Sequence, residues 1–118
     1  MPRTSKPVVL ICGSRSINDI AIGRYVNPKE IGQVVHGGTT VVDALAEQWA
    51  KNNNIESIIF SPNYEIYSKR APLVRDKEMV DYADFVIVFW DSHSRGTKYV
   101  IDYCKTIGRK CIVHLIGE

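Results

Sequence analysis

Residues 85–90, Phe-Val-Ile-Val-Phe-Trp, form an apolar run without polar alternation. Such a run reads as a strand buried on both faces, the environment of a parallel sheet covered by helices. The chain leaves it through Asp91-Ser92-His93-Ser94-Arg95-Gly96-Thr97 and enters a helical pattern that stops at Gly108. A strand, a short polar turn and a helix, in that order, place free backbone N–H groups and the positive end of the helix dipole where an anion can sit. The arrangement recurs at Val34-Val35-His36, Gly37-Gly38-Thr39-Thr40 and the amphipathic segment that follows. Two such loops predict a phosphate-bearing ligand at the carboxyl edge of an α/β sheet.

Strand and helix patterns alternate along the rest of the chain. Strands are predicted near residues 8–12, 31–36, 56–61, 85–90 and 111–116. Ser16 is placed to cap a short helix bearing Ile17, Ile20, Ala21 and Tyr25, which ends before Pro28. Residues 40–53 carry Val42, Leu45, Ala46, Trp49 and Ala50 on one helical face. Residues 62–70 read as a polar, tyrosine-bearing loop, and Pro72 suits the first turn of a helix reaching Ala83. A last helix covers residues 96–107. Five strands with intervening helices predict a three-layer α/β/α sandwich, because right-handed crossovers lay helices on both faces of a parallel sheet.

Length and charge narrow the class further. The 118 residues suffice for one core, so residues 1–118 read as a single domain. The chain is 45% hydrophobic and 24% charged with a net charge of +2, which excludes disorder and a nucleic-acid-binding stripe. Cys12, Cys104 and Cys111 form no CxxC pair and fall in apolar positions, as buried reduced thiols of a cytoplasmic protein would. Residues 1–7 are polar and basic, so no secretory leader is expected, and no run is long enough to span a membrane. No three-residue His/Cys/Asp/Glu cluster has metal-ligand spacing, so neither a metal nor a cofactor is expected.

Several residues in these loops have chemistry suited to a ligand. Gly13, Ser14 and Arg15 follow the first strand, where backbone can approach closely and a guanidinium can grip an oxyanion in two-pronged fashion. Gly37, Gly38 and Thr39 belong to the second loop, and Ser94, Arg95, Gly96 and Thr97 to the last, where Thr97 reads as an N-cap. Asp43 either reaches ribose hydroxyls or completes a capping box with Thr40. Arg75 lies in the first turns of its helix, where the dipole disfavours a cation by about 0.3–1 kcal/mol. Either a bound anion or an acidic neighbour such as Asp76 would compensate it. Asp91 and His93 are the titratable candidates for catalysis. Asp102 lies about 200° around the helix from Val100 and faces elsewhere. His36 and His114 read as structural, Trp49 as core, and Trp90 as either a stacking platform or packing.

Taken in order, these residues resemble a family. Gly13-Ser14-Arg15, His36-Gly37-Gly38 with Asp43 and Ala44-Leu45-Ala46, Ala71-Pro72-Leu73-Val74-Arg75-Asp76-Lys77-Glu78-Met79 and Gly96-Thr97 are similar to the SLOG superfamily. That group contains the lonely-guy phosphoribohydrolases and the DNA-processing protein DprA, and the chain most resembles its small YspA-like branch. The resemblance implies a Rossmann-like fold with strand order 3-2-1-4-5, a nucleotide or nucleotide-derived ligand, and a homodimer. It also aligns Arg75 with the arginine that lonely-guy enzymes place four residues before a methionine, here Met79. Two departures stand out. Val41 occupies a place where the branch usually has a second glycine, and Val100 replaces the glutamate that lonely-guy enzymes and nucleoside deoxyribosyltransferases use on an N-glycosidic bond. Two functions follow. One is binding or sensing of a phosphoribosyl-bearing ligand. The alternative is an enzyme cleaving N-glycosidic bonds, like a phosphoribohydrolase or a deoxyribosyltransferase.

Overall fold

The structure, a computed structural model, describes residues 6–117; the reading of residues 1–5 as a polar start lies outside them. Five strands form one sheet: β1 (Val8–Gly13), β2 (Gln33–His36), β3 (Glu56–Ile59), β4 (Phe85–Trp90) and β5 (Cys111–Leu115). Every pairing is parallel and the order is β3-β2-β1-β4-β5. The expected Rossmann-like α/β fold and strand order are therefore present. The chain builds outward from β1 in one direction and then restarts on its other side. The ends of β1 and β4 consequently flank a switch point, where neighbouring connections diverge and leave a crevice.

Side chains of successive strand residues enter opposite layers, as the two-residue period requires. Val9, Ile11, Val34, Ile87 and Phe89 join one core with Val42, Ala46 and Ala50 of α1 (Val41–Asn52). Val8, Leu10, Val35, Val86 and Val88 join the other. There they meet Met79 and Val80 of α3 (Ala71–Tyr82) and Val100, Ile101 and Cys104 of α4 (Arg95–Ile107). Of the thiols, Cys104 is buried, Cys12 and Cys111 are partly buried, and none is in a disulfide. His114 packs against Tyr25 and Phe89 with ring centroids 4.6 and 5.5 Å away, a structural setting.

Two stretches differ from the sequence reading. Residues 16–27 form no α-helix; only a 3-10 turn at Ile22–Arg24 is present, with another at Pro28–Glu30. Of the expected stripe, Ala21 is exposed and Tyr25 packs its ring against Phe89 and His114, whereas the buried side chains are Ile17, Ile22 and Val26. Their spacing suits an irregular strap laid across the sheet, and covering that apolar face outweighs the local helical pattern. Ser16 caps no helix; its hydroxyl donates to Asp91 Oδ2 at 2.6 Å. Conversely, the expected loop at residues 62–70 contains a one-turn helix α2 (Tyr64–Tyr67), capped by Asn63, and a 3-10 turn at Ser68–Arg70.

The glycine ending β1 has a packing cause. A Cβ on Gly13 would lie 2.6 Å from Val42 Cγ2 and 3.0 Å from two other Val42 carbons. Gly13→Ala should therefore cost about 1–3 kcal/mol through overpacking, read as a shifted denaturation midpoint. Most of that loss should return in a Val42→Ala background; an unchanged midpoint in the single variant would contradict the contact.

Candidate functional site

A crevice of about 520 Å³ opens at the carboxyl ends of β1, β2 and β4, a size suited to a small ligand. Gly13, Arg15, Gly37, Thr39, Asp43, Arg75, Ser94, Gly96 and Thr97 line it, as do Asp91 and His93. Ser14, Gly38 and Arg95, also expected at the site, are not among its lining residues. Ser14 is fully buried, where its hydroxyl accepts from Asp91 N at 3.1 Å and meets Thr97 Oγ1 at 3.2 Å. It ties the end of β1 to the start of α4. Gly38 is exposed, and its N–H donates to His36 Nδ1 at 3.1 Å. With that proton supplied by the backbone, His36 Nε2 carries the ring proton and donates to Glu47 Oε1 at 2.7 Å. His36 is thus a satisfied core histidine.

The two helix N-termini are not equivalent. At α1, Thr40 and Asp43 form the expected capping box. Asp43 Oδ2 accepts from Thr39 N at 2.9 Å and Thr40 N at 3.2 Å, so this carboxylate occupies the place an external anion would take. At α4 the N-cap is Ser94 rather than Thr97, because its side chain accepts from Thr97 N. The amides of Arg95 and Gly96 begin that helix, where no intrahelical acceptor exists, and they have no other partner among the described residues. A Cβ at Gly96 would meet nothing within 4 Å, so that side is open.

Arg75 is only 7% exposed, which resolves the electrostatic puzzle of its position. Nη1 donates to Gly37 O at 2.9 Å and Phe60 O at 3.1 Å, and Nε donates to Asp76 Oδ1 at 2.9 Å. Asp76 is the neighbour that compensates the cation. Nη2 makes no hydrogen bond to the described residues, and Arg75 is part of the crevice wall. Gly37 permits this clamp, since a Cβ there would lie 2.7 Å from Nη1.

The carboxylates divide by environment. Asp91 Oδ1 accepts from the amides of His93 and Ser94, both at 2.8 Å, and Oδ2 from Ser16. The Ser16 hydroxyl first and then these amides hold its pKa well below the usual carboxylate range, so it keeps no proton to donate. Asp76 goes the other way: burial pushes it up to about 6, against the opposing pull of Arg75. Cys12 also lines the crevice, and burial, with the charges of Asp43 and Asp76, raises its thiol well above its ordinary value. Asp102 pairs with Lys98 at 2.8 Å on the exposed side of α4, as its position in the helix predicts.

Asp76 is the group that the sequence reading left as a mere neighbour. It stands four residues after Pro72 and three before Met79, a spacing that puts all three on one helical face. Both of those residues line the same crevice. Val100 also reaches it, buried and apolar.

Residues 7–67 match the family model YAcAr, described as the YspA, cpYpsA-related SLOG family. The match spans just over half of the chain. The protein belongs to this SLOG family. No curated protein and no solved structure matches it. The matched stretch of this SLOG protein carries Gly13, the Gly37 loop and Asp43, whereas Arg75, Asp76 and the α4 turn lie beyond it. No described helix is long and apolar enough to cross a membrane.

Proposed function

We propose that this SLOG protein binds a nucleotide or nucleotide-derived, phosphoribosyl-bearing ligand in the crevice, without turning it over. The observation that carries the reading is the set of unused donors on the crevice side. Among the described residues Arg75 Nη2 and the first two amides of α4 have no hydrogen-bond partner, and Arg15 is exposed at the crevice wall. Together they suit one phosphate group, held by charge-assisted bonds. Asp43 Oδ1 has no hydrogen-bond partner among the described residues and suits a ribose hydroxyl as donor. Two observations weigh against cleavage: Val100 cannot exchange a proton, and Asp91, held ionised by three donors, has no proton to give a leaving base.

The test is calorimetry with nucleosides, nucleoside monophosphates and ADP-ribose, alongside a base-release assay on the same protein. Binding of a phosphorylated member over its nucleoside is expected, with no free base released. Release of base at a rate abolished by Asp91→Asn or Asp76→Asn would overturn the binding reading in favour of an enzyme.

The reading extends to assembly and location. The protein pairs as a homodimer, supported by apolar side chains left in solvent at Val41 (41% exposed) and Ile59 (54%). It works in the cytoplasm, in keeping with three unpaired thiols. Light scattering at micromolar concentration should return twice the 13.3 kDa chain mass, and a monomer mass would reject the dimer.

A further inference from the structure

Arg75 and Asp76 face the crevice as a pair of unequal freedom. Two carbonyl contacts through Nη1 lock the guanidinium, and Asp76 Oδ1 is tied to its Nε. Asp76 Oδ2 has no partner among the described residues, and its side chain is 14% exposed at the crevice wall. Asp43 on α1 and Cys12 on β1 interact electrostatically with Asp76, and Arg15 after β1 and Asp91 with His93 before α4 line the same crevice.

With every carboxyl ionised, the crevice wall carries Arg15 and Arg75 against Asp43, Asp76 and Asp91. An anion reaching Arg75 Nη2 adds negative charge to a wall that already has more acids than arginines. One carboxylate can relieve this by taking a proton, and the hydrogen bonds decide which. Asp91 accepts three and Asp43 is held by two backbone amides, whereas Asp76 accepts one and is the most weakly held.

We propose that Asp76 takes up a proton from solvent when the anionic group of the ligand docks on Arg75, and then donates a hydrogen bond from its second oxygen to that ligand. This makes Asp76 a specificity-determining residue of the nucleotide site, and the proposal rests on the nucleotide-binding reading. Only a proton moves, from solvent to Oδ2, and no other bond is made or broken. The elevated carboxyl of Asp76 keeps that proton within reach near neutral pH. The pair then favours ligands that set an acceptor beside their phosphate over ligands that set a cation there.

Calorimetry of adenosine 5′-monophosphate binding decides it. The full chain, Asp76→Asn and His93→Gln are compared in buffers of different ionisation enthalpy, between about pH 6 and pH 8. The secondary phosphate of the nucleotide also titrates near about pH 6, so its phosphorus NMR shift is followed in each complex and its own proton is subtracted. The native protein should take up more protons than Asp76→Asn, the difference being at most about one half near pH 6 and approaching one toward pH 8. Its affinity should fall by up to about tenfold per pH unit relative to that variant. Equal uptake in the native protein and Asp76→Asn, or a loss of uptake confined to His93→Gln, would overturn the proposal alone. Failure of the native protein to bind the nucleotide at any pH would overturn the nucleotide reading as well. Should the Asn variant not fold, carboxyl NMR of the native protein replaces it. Addition of the nucleotide must move the Asp76 titration upward, and an unmoved titration refutes the proposal.

Discussion

Arg75→Ala should destabilise the protein by about 3–5 kcal/mol and weaken nucleotide binding by about ten- to hundredfold. The stability loss follows from what the side chain holds. At 7% exposure it satisfies Gly37 O and Phe60 O, which belong to two different connections, and it neutralises Asp76. Removing it leaves two carbonyls and a carboxylate without their donor in a poorly hydrated place. The affinity loss has a different origin, Nη2, whose charge-assisted bond to a phosphate contributes about 1.5–3 kcal/mol. Arg75→Lys separates the two, because one ammonium keeps the charge but cannot reach Gly37 O, Phe60 O and Asp76 in the same fork. Chemical denaturation reads the first effect and calorimetry on the folded fraction the second. Unchanged affinity in folded Arg75→Ala would make the arginine an internal clamp and nothing more.

Asp76→Asn should stabilise the protein above about pH 7 by about 1–3 kcal/mol, and the gain should vanish below about pH 4. The sign follows from the raised carboxyl. The folded chain keeps the Asp76 proton up to about pH 6, whereas an unfolded chain releases it near about 3.9. Across that window the folded state binds more protons, so this group's contribution to stability falls as pH rises and stays low above it. Asparagine resembles the protonated form and removes the dependence. Urea midpoints at two pH values measure it. A variant less stable than the native protein at pH 8 would mean that the ion pair with Arg75 outweighs the cost of burying the charge.

Much of the framework was legible in the residues because it depends on local pattern. The unbroken apolar run at residues 85–90, the alternation of strand and helix, the Thr40–Asp43 capping box and the stop at Gly108 all lie within a few residues of their cause. Strand order was not among these; it came from the family resemblance, and the all-parallel sheet agrees with it. One error lay where tertiary packing overrode local signals. The strap at residues 16–27 gives up a helical stripe to cover one sheet face, whereas the turn at Tyr64 is a local Asn63 cap that the reading overlooked.

The same division separates the site's inventory from its chemistry. By itself the sequence determined the loops that reach the carboxyl edge and most of the polar residues that line it, because loop position follows from strand and helix order. Only the tertiary structure decided what each residue does there. It left the first amides of α4 open, buried Ser14 and filled the space beside Gly13 with Val42. It also fixed Arg75 on two distant carbonyls and pushed the proton of Asp76 toward neutrality. Desolvation and hydrogen-bond occupancy depend on which atoms meet across the fold, and residues far apart in sequence set them, such as Gly37 and Arg75 with a separation of 38.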